Sequence, residues 1–184
     1  MSIIKNICVF CGSGMGRDPA FEAAAVALGE AMARAGVGLV YGGGSLGLMG
    51  AIARAVSESG GRVTGIIPGF LHSKERMYEG AHELIVTNDM HERKRLMFEK
   101  ADAFVALPGG IGTLEELVEQ MTWLQLGQHA KPILIADIGH FWKPLLVLFA
   151  HMREAGFIRE AMEIHYLVAE RVSEIVPMLE QAMH

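Results

Sequence analysis

The strongest constraint on this chain is a rhythm. Short, continuously apolar runs alternate with longer segments of helical period, and several of the runs end in glycine. A strand that is apolar on both sides of its pleat needs cover on both faces. Strands that alternate with helices supply that cover, because each crossover helix packs back on the sheet. The expected fold is therefore α/β: a Rossmann-like, doubly wound parallel sheet with helices on both faces. No internal repeat, linker or low-complexity stretch divides residues 1–184, so one domain is expected.

The predicted strands are Ile3–Cys11, Gly38–Tyr41, Arg62–Ile67, Glu83–Thr87, Ala103–Leu107, Pro132–Ala136 and Ile164–Val168. The predicted helices are Pro19–Ala35, Leu48–Ser59, Met90–Ala101, Thr113–Leu126, Trp142–Ala155 and Val172–Met183. Residues 68–80 form an irregular polar stretch. Glycine supplies 22 of 184 residues in a chain that is 51% hydrophobic. Such a chain can bury a core, so the glycines do not mark disorder, and they lack the three-residue period of collagen. Eleven of them fall within residues 12–16, 42–50 and 109–112, at the ends of predicted strands. Ligands of open α/β sheets bind at that edge.

Several function classes drop out. A net charge of −5 argues against a broad nucleic-acid footprint. The longest strongly apolar run, Leu145 to Ala150, is far short of a membrane span, and the N-terminus carries Lys5 and Asn6 with no useful signal-peptide core. A cytoplasmic protein is expected. Cys8 and Cys11 form a CxxC, but no second cysteine pair completes a zinc site. On a strand, residues three apart face opposite ways, so both thiols are expected to be structural.

Gly42-x-Gly44-x-x-Gly47 matches a dinucleotide fingerprint. That fingerprint also wants an acid at the end of the next strand. Here the strand ends Thr64-Gly65-Ile66-Ile67, with no acid before Glu75, and no P-loop exists. A tight turn with close helix packing is expected instead. Pro108-Gly109-Gly110-Ile111-Gly112-Thr113 is more informative. Its glycines free backbone N–H groups to face an anion, and a helix N-terminus follows. Thr113-x-x-Glu116 is equally a capping box, and both readings stay open.

In the helix beginning at Thr113, Leu114, Leu117, Val118, Met121 and Leu124 make one apolar stripe, with Glu116 and Trp123 opposite. An exposed tryptophan implies that this second face meets a ligand cleft or a subunit. In Asp89-Met90-His91-Glu92-Arg93-Lys94-Arg95, Asp89 caps a helix and Glu92 completes a box. Arg93 and Lys94 flank the inward stripe of Met90, Met97 and Ala101, while Arg95 points away. Cations beside a buried face need anionic partners, from protein carboxylates or from a substrate.

These residues together resemble the LONELY GUY (LOG) family of phosphoribohydrolases over nearly the whole chain. The resemblance rests on Cys11-Gly12-Ser13, on Tyr41 to Gly50, on Met90-His91-Glu92-Arg93-Lys94 (the family's MHxRK), and on Pro108 to Glu116 (its PGGxGTxxE). It implies hydrolysis of purine ribonucleoside 5′-monophosphates, N6-prenylated adenosine or AMP, to free base and ribose 5-phosphate. The products from prenylated substrates are active cytokinins. By motif position, Arg93 and Glu116 match the catalytic pair. Glu75, Lys94, Gly109, Gly110, Ile111, Gly112, Thr113, Leu114, Glu115 and Thr122 match substrate-contacting positions. The family also implies a homodimer with sites near its interface. The apolar helix of Trp142, Leu145, Leu146, Val147, Leu148, Phe149 and Met152 is to be deeply buried or at such an interface.

Glu116 is then expected to stabilise an oxocarbenium-like ribose or to activate water. The 109–113 loop would hold the 5′-phosphate, Arg93 would orient Glu116 or the substrate, and Lys94 would assist anion binding. No cofactor is expected and no metal: His129, His140 and His151 form no ligand motif. A lysine decarboxylase reading finds no recognisable pyridoxal-phosphate motif. The rival is a carrier that holds a nucleotide or molybdenum cofactor without hydrolysing it, or a nucleotide-sensing scaffold.

Overall fold

Seven parallel strands form one sheet in the order β4-β3-β2-β1-β5-β6-β7. They are β1 (Asn6–Phe10), β2 (Gly38–Tyr41), β3 (Val63–Pro68), β4 (Glu83–Thr87), β5 (Ala103–Ala106), β6 (Ile133–Ala136) and β7 (Leu167–Ala169). Five α-helices fall between strands and a sixth follows β7 among the described residues: α1 (Pro19–Arg34), α2 (Gly47–Glu58), α3 (Met90–Lys100), α4 (Ile111–Gln125), α5 (Lys143–Glu154) and α6 (Val172–Ala182). The structure is a computed structural model that describes residues 4–71, 77–158 and 163–183. No helix among them is long and apolar enough to cross a membrane.

Two apolar layers account for the sheet's two-sided burial. One face packs against α1, α2 and α6 through residues such as Leu28, Ile52 and Leu179. The other packs against α3, α4 and α5 through Met97, Leu117 and Phe149. Along β1 the side chains alternate between layers. Ile7, Val9 and Cys11 enter the first, while Cys8 and Phe10 enter the second. The two thiols therefore lie on opposite faces of the sheet, both buried and unpaired. Burial pushes each of them up from the usual thiol range.

The expected alternation holds for every element, with shifts at the ends. The last strand runs Leu167–Ala169 rather than Ile164–Val168, because Ile164 and Tyr166 are used as packing against the second layer. The helix predicted from Thr113 starts two residues earlier, at Ile111. Its cap is the backbone of Gly110, which has no side chain to bond, so the Thr113–Glu116 capping box is corrected: Thr113 lies inside the helix and is buried. The box at Asp89 is half realised. Asp89 Oδ1 accepts the Glu92 N–H at 2.8 Å, whereas Glu92 reaches back to Asn88.

Strand order reverses between β1 and β5, since β2, β3 and β4 build outward on one side and β6 and β7 on the other. A sheet wound in both directions leaves a crevice at that point, outside the strand carboxyl ends. The segments that leave those two strands are Cys11-Gly12-Ser13 and Pro108-Gly109-Gly110.

Candidate active site

The crevice is a cavity of about 230 Å³ lined by Cys11, Ser13, Met49, Arg93, Gly110, Ile111, Gly112, Thr113 and Glu116. The segment just after β1 supplies the first two residues, α2 Met49, α3 Arg93, and Gly110 with the start of α4 the rest. A neighbouring cleft of about 260 Å³ continues along Gly12 to Gly16, Pro108, Gly109 and Phe141. Cys11, Ser13 and Met49 were not among the expected site residues. The signal that could find Ser13 is its place just past β1, at the point where strand order reverses.

Arg93 is only 7% exposed, on the buried face of α3 rather than beside it. Its Nε donates to the Ile66 carbonyl and its Nη2 to the Gly42 carbonyl, each at 3.1 Å. Both bonds fix the guanidinium to the ends of β2 and β3. A Cβ at position 42 would collide with that guanidinium, so the first glycine of the dinucleotide-like loop makes room for an arginine. Two amides of the helix that follows the loop are also committed. The N–H groups of Leu48 and Met49, in the first turn of α2, donate to the carbonyls of Gly12 and Gly14. The expected tight turn replaces the dinucleotide reading.

The start of α4 differs. Leu114 N donates to the Gly110 carbonyl. Among the described residues, no protein acceptor takes the N–H groups of Ile111, Gly112 and Thr113. Three free donors at the positive end of a helix make an anion site. Thr113 is buried, and a Cβ on Gly109 would meet its hydroxyl oxygen. The glycine therefore lets the turn close over the threonine.

Glu116 stands one turn further along α4, half-buried in the cavity wall. Burial pushes its carboxyl up to about 7, the Arg93 charge pulls against that rise, and the neighbouring Glu115 and Glu119 add to it. Arg93 and Glu116 form no ion pair within 4 Å among the described residues, so the two charges face the same space without closing it. A carboxyl that titrates near neutrality, in a cleft, opposite a fixed cation, suits proton transfer.

The remaining expected residues divide. Lys94 Nζ binds Glu115 Oε1 at 2.7 Å and Glu119 Oε2 at 2.8 Å, so its anions come from the protein. Those bonds hold its ammonium above the usual lysine range. Leu114 is partly buried, while Ile111 is 82% exposed at the cavity mouth. Thr122 lies outside this cavity. Its hydroxyl donates to Val118 O at 2.8 Å, and it lines a separate apolar groove with Met121, Phe149 and Phe157. Glu75 falls outside the described residues. On the wheel, Val118 turns outward, and Thr113 and Gln120 take inward places. The Trp123 ring packs edge-on against Phe98 of α3 at 5.4 Å.

Asp137, His140 and Glu170 gather their donor atoms within 4.8 Å at the ends of β6 and β7, an arrangement able to take a cation. None of them lines the cavity, and Asp137 Oδ1 already accepts the Trp142 N–H at 2.6 Å. His129 is structural. Its ring bonds the Gln120 carbonyl and the Lys131 N–H.

Comparison with known proteins follows this geometry. A family described as "Possible lysine decarboxylase" matches residues 49–179. A cytokinin riboside 5′-monophosphate phosphoribohydrolase of Arabidopsis thaliana is 43% identical over 180 residues, which cover 98% of this chain and 83% of that one. One of Oryza sativa subsp. japonica is 44% identical over 180 residues, covering 98% and 74%. Among solved structures, the molybdenum cofactor carrier protein of Chlamydomonas reinhardtii superposes with a TM-score of 0.71 at 23% identity, covering 97% of this chain and 98% of that one. The molybdenum cofactor binding protein of Rippkaea orientalis gives 0.70 at 21%, covering all of both. These two share the fold.

Proposed function

The chain belongs to the LOG family of cytokinin riboside 5′-monophosphate phosphoribohydrolases, and from that premise we propose that it hydrolyses the N-glycosidic bond of a purine ribonucleoside 5′-monophosphate, AMP or its N6-prenylated analogue. The observation that carries this reading is the pairing of three free amides with a carboxyl that titrates near neutrality, one helical turn apart on α4. The amides and the Gly109–Thr113 turn take the 5′-phosphate. That contact sets the ribose over Glu116 and makes attack intramolecular in effect. The ionised carboxylate stabilises positive charge building at C1′ as the bond to the base breaks. The bonding electrons leave with the base. Water adds to C1′ as Glu116 draws off its proton, and the base regains one. The products are free base and ribose 5-phosphate. Arg93, pinned to two carbonyls, holds the opposite wall and draws Glu116 toward its ionised form.

A lysine decarboxylase reading fits the cleft poorly. An imine-forming lysine needs a neutral amine. The lysine beside this cleft, Lys94, is clamped between two carboxylates that favour its charged form. The carrier reading has the fold alone behind it.

The working unit in this reading is a cytoplasmic homodimer. Two buried, unpaired thiols suit a reducing compartment. On α5 and just beyond it, Val147, Leu148, Met152 and Phe157 are exposed beside the groove that holds Thr122. Ile111, Glu115, Val118 and Thr122 share one exposed stripe of α4. A second copy covering that surface accounts for both, and light scattering tests it: the mass of a single chain rules the dimer out. The activity test is incubation with AMP and with isopentenyladenosine monophosphate. Free base and ribose 5-phosphate are expected, and release of neither refutes the enzyme.

A further inference from the structure

Helices α3 and α4 are tied by two rungs. Lys94 sits between Glu115 and Glu119, and one turn on, Phe98 meets Trp123. On α3 the rung residues are four apart, 94 and 98, and on α4 they fall at 115, 119 and 123. Equal spacing on both helices makes a ladder with a fixed register. The two groups assigned to chemistry are sequence neighbours of the ionic rung. Arg93 precedes Lys94, and Glu116 follows Glu115.

The rung is sheltered. The Lys94 side chain is 14% exposed and that of Glu119 20%. Glu119 Oε1 is buried and has no hydrogen-bond partner among the described residues, so Lys94 is what compensates this carboxylate. A charge held in this way costs stability unless its partner stays in place. On the functional reading above, we propose that Glu119 is a positioning residue: with Lys94 it holds α3 and α4 at the separation where Arg93 and Glu116 share one cavity, and it sets the charge around Glu116.

The charged and titratable groups that act on Glu116 are Arg93 and Lys94 from α3 and Glu115 and Glu119 from its own helix. The thiols of Cys8 and Cys11 on β1 also couple to it. The rung thus contributes with both signs. Glu119 disfavours the ionised carboxylate, and Lys94 favours it.

The test compares Glu119→Gln and Lys94→Met with the unaltered protein, with folding checked by circular dichroism. Carboxyl-carbon NMR with labelled glutamate follows Glu116 without substrate, the signal being assigned by its loss in Glu116→Gln. The Glu116 midpoint is expected to fall by about half a pH unit in Glu119→Gln and to rise by about as much in Lys94→Met. The acid limb of the rate profile on AMP moves in the same two directions. A general loosening of the fold lowers rates without moving the midpoints oppositely. Midpoints that stay still, or that move the same way in both variants, overturn the proposal. If the unaltered protein releases no base while the midpoints still part, the functional reading fails and the positioning role stands.

Discussion

Glu116→Gln separates a residue kept for chemistry from one kept for stability. The carboxyl titrates near 4.5 ordinarily and at about 7 in the fold. Between those values the native protein holds a proton that the unfolded chain has released. Native stability therefore falls as pH rises through this window and is level above it. Integrated from pH 5 to pH 8, the difference is about 2.5 kcal/mol. Glutamine imitates the protonated side chain and cannot titrate. Whatever its fit in the site, its stability relative to the unaltered protein should improve by that amount between the two pH values. For a chain of this size, that corresponds to a relative gain of about 5–10 °C in melting temperature. The assay is a pair of thermal melts at pH 5 and pH 8, with AMP hydrolysis measured on the same samples. Turnover should fall by about two orders of magnitude or more, as for loss of a proton-transfer group. A stability difference that does not change with pH refutes the elevated carboxyl. A variant that still turns over normally refutes its role.

Other consequences can be checked as directly. Ile111→Pro removes one free amide at a position where helices tolerate proline, from a side chain that is 82% exposed. KM for AMP should rise roughly tenfold with the melting temperature nearly unchanged, and an unaltered KM argues against phosphate at this turn. Arg93→Lys cannot bond both the Ile66 and Gly42 carbonyls, so it should lose about 1–3 kcal/mol of stability along with most of kcat/KM. Full stability and activity by melting and kinetics would show the fork to be dispensable. Cys8 and Cys11 should resist iodoacetamide in the native protein and react once unfolded, because burial holds both as thiols. Rapid native alkylation, read by mass spectrometry, would contradict their packing.

The fold was legible because its signal is periodic. Alternating apolar runs and helical segments predicted each strand and helix, and three-residue spacing on β1 placed Cys8 and Cys11 on opposite faces. The site was legible in part. Arg93 and Glu116 do share one cavity, at a point of the sheet set by topology. What the sequence hid is partnership over distance. Lys94 finds its carboxylates 21 and 25 residues away, and Arg93 finds backbone carbonyls, which no residue name records. A helical wheel shows that Trp123 has a face to cover without showing that Phe98 covers it. The Thr113–Glu116 pattern offers a cap that the fold does not use, for a local reason. A glycine backbone can open a helix with no side-chain cap, which frees the threonine to be buried.

Two helices point their N-terminal ends toward the crevice region, yet two first-turn amides of α2, those of Leu48 and Met49, are spent on the carbonyls of Gly12 and Gly14. The first-turn amides of α4 have no such protein partner among the described residues. A phosphoryl group set against the end of α2 would find the Leu48 and Met49 amides already bonded to the loop after β1. How the backbone of that loop closes thus decides which of the two helix ends is left with donors to offer, before any side chain is involved.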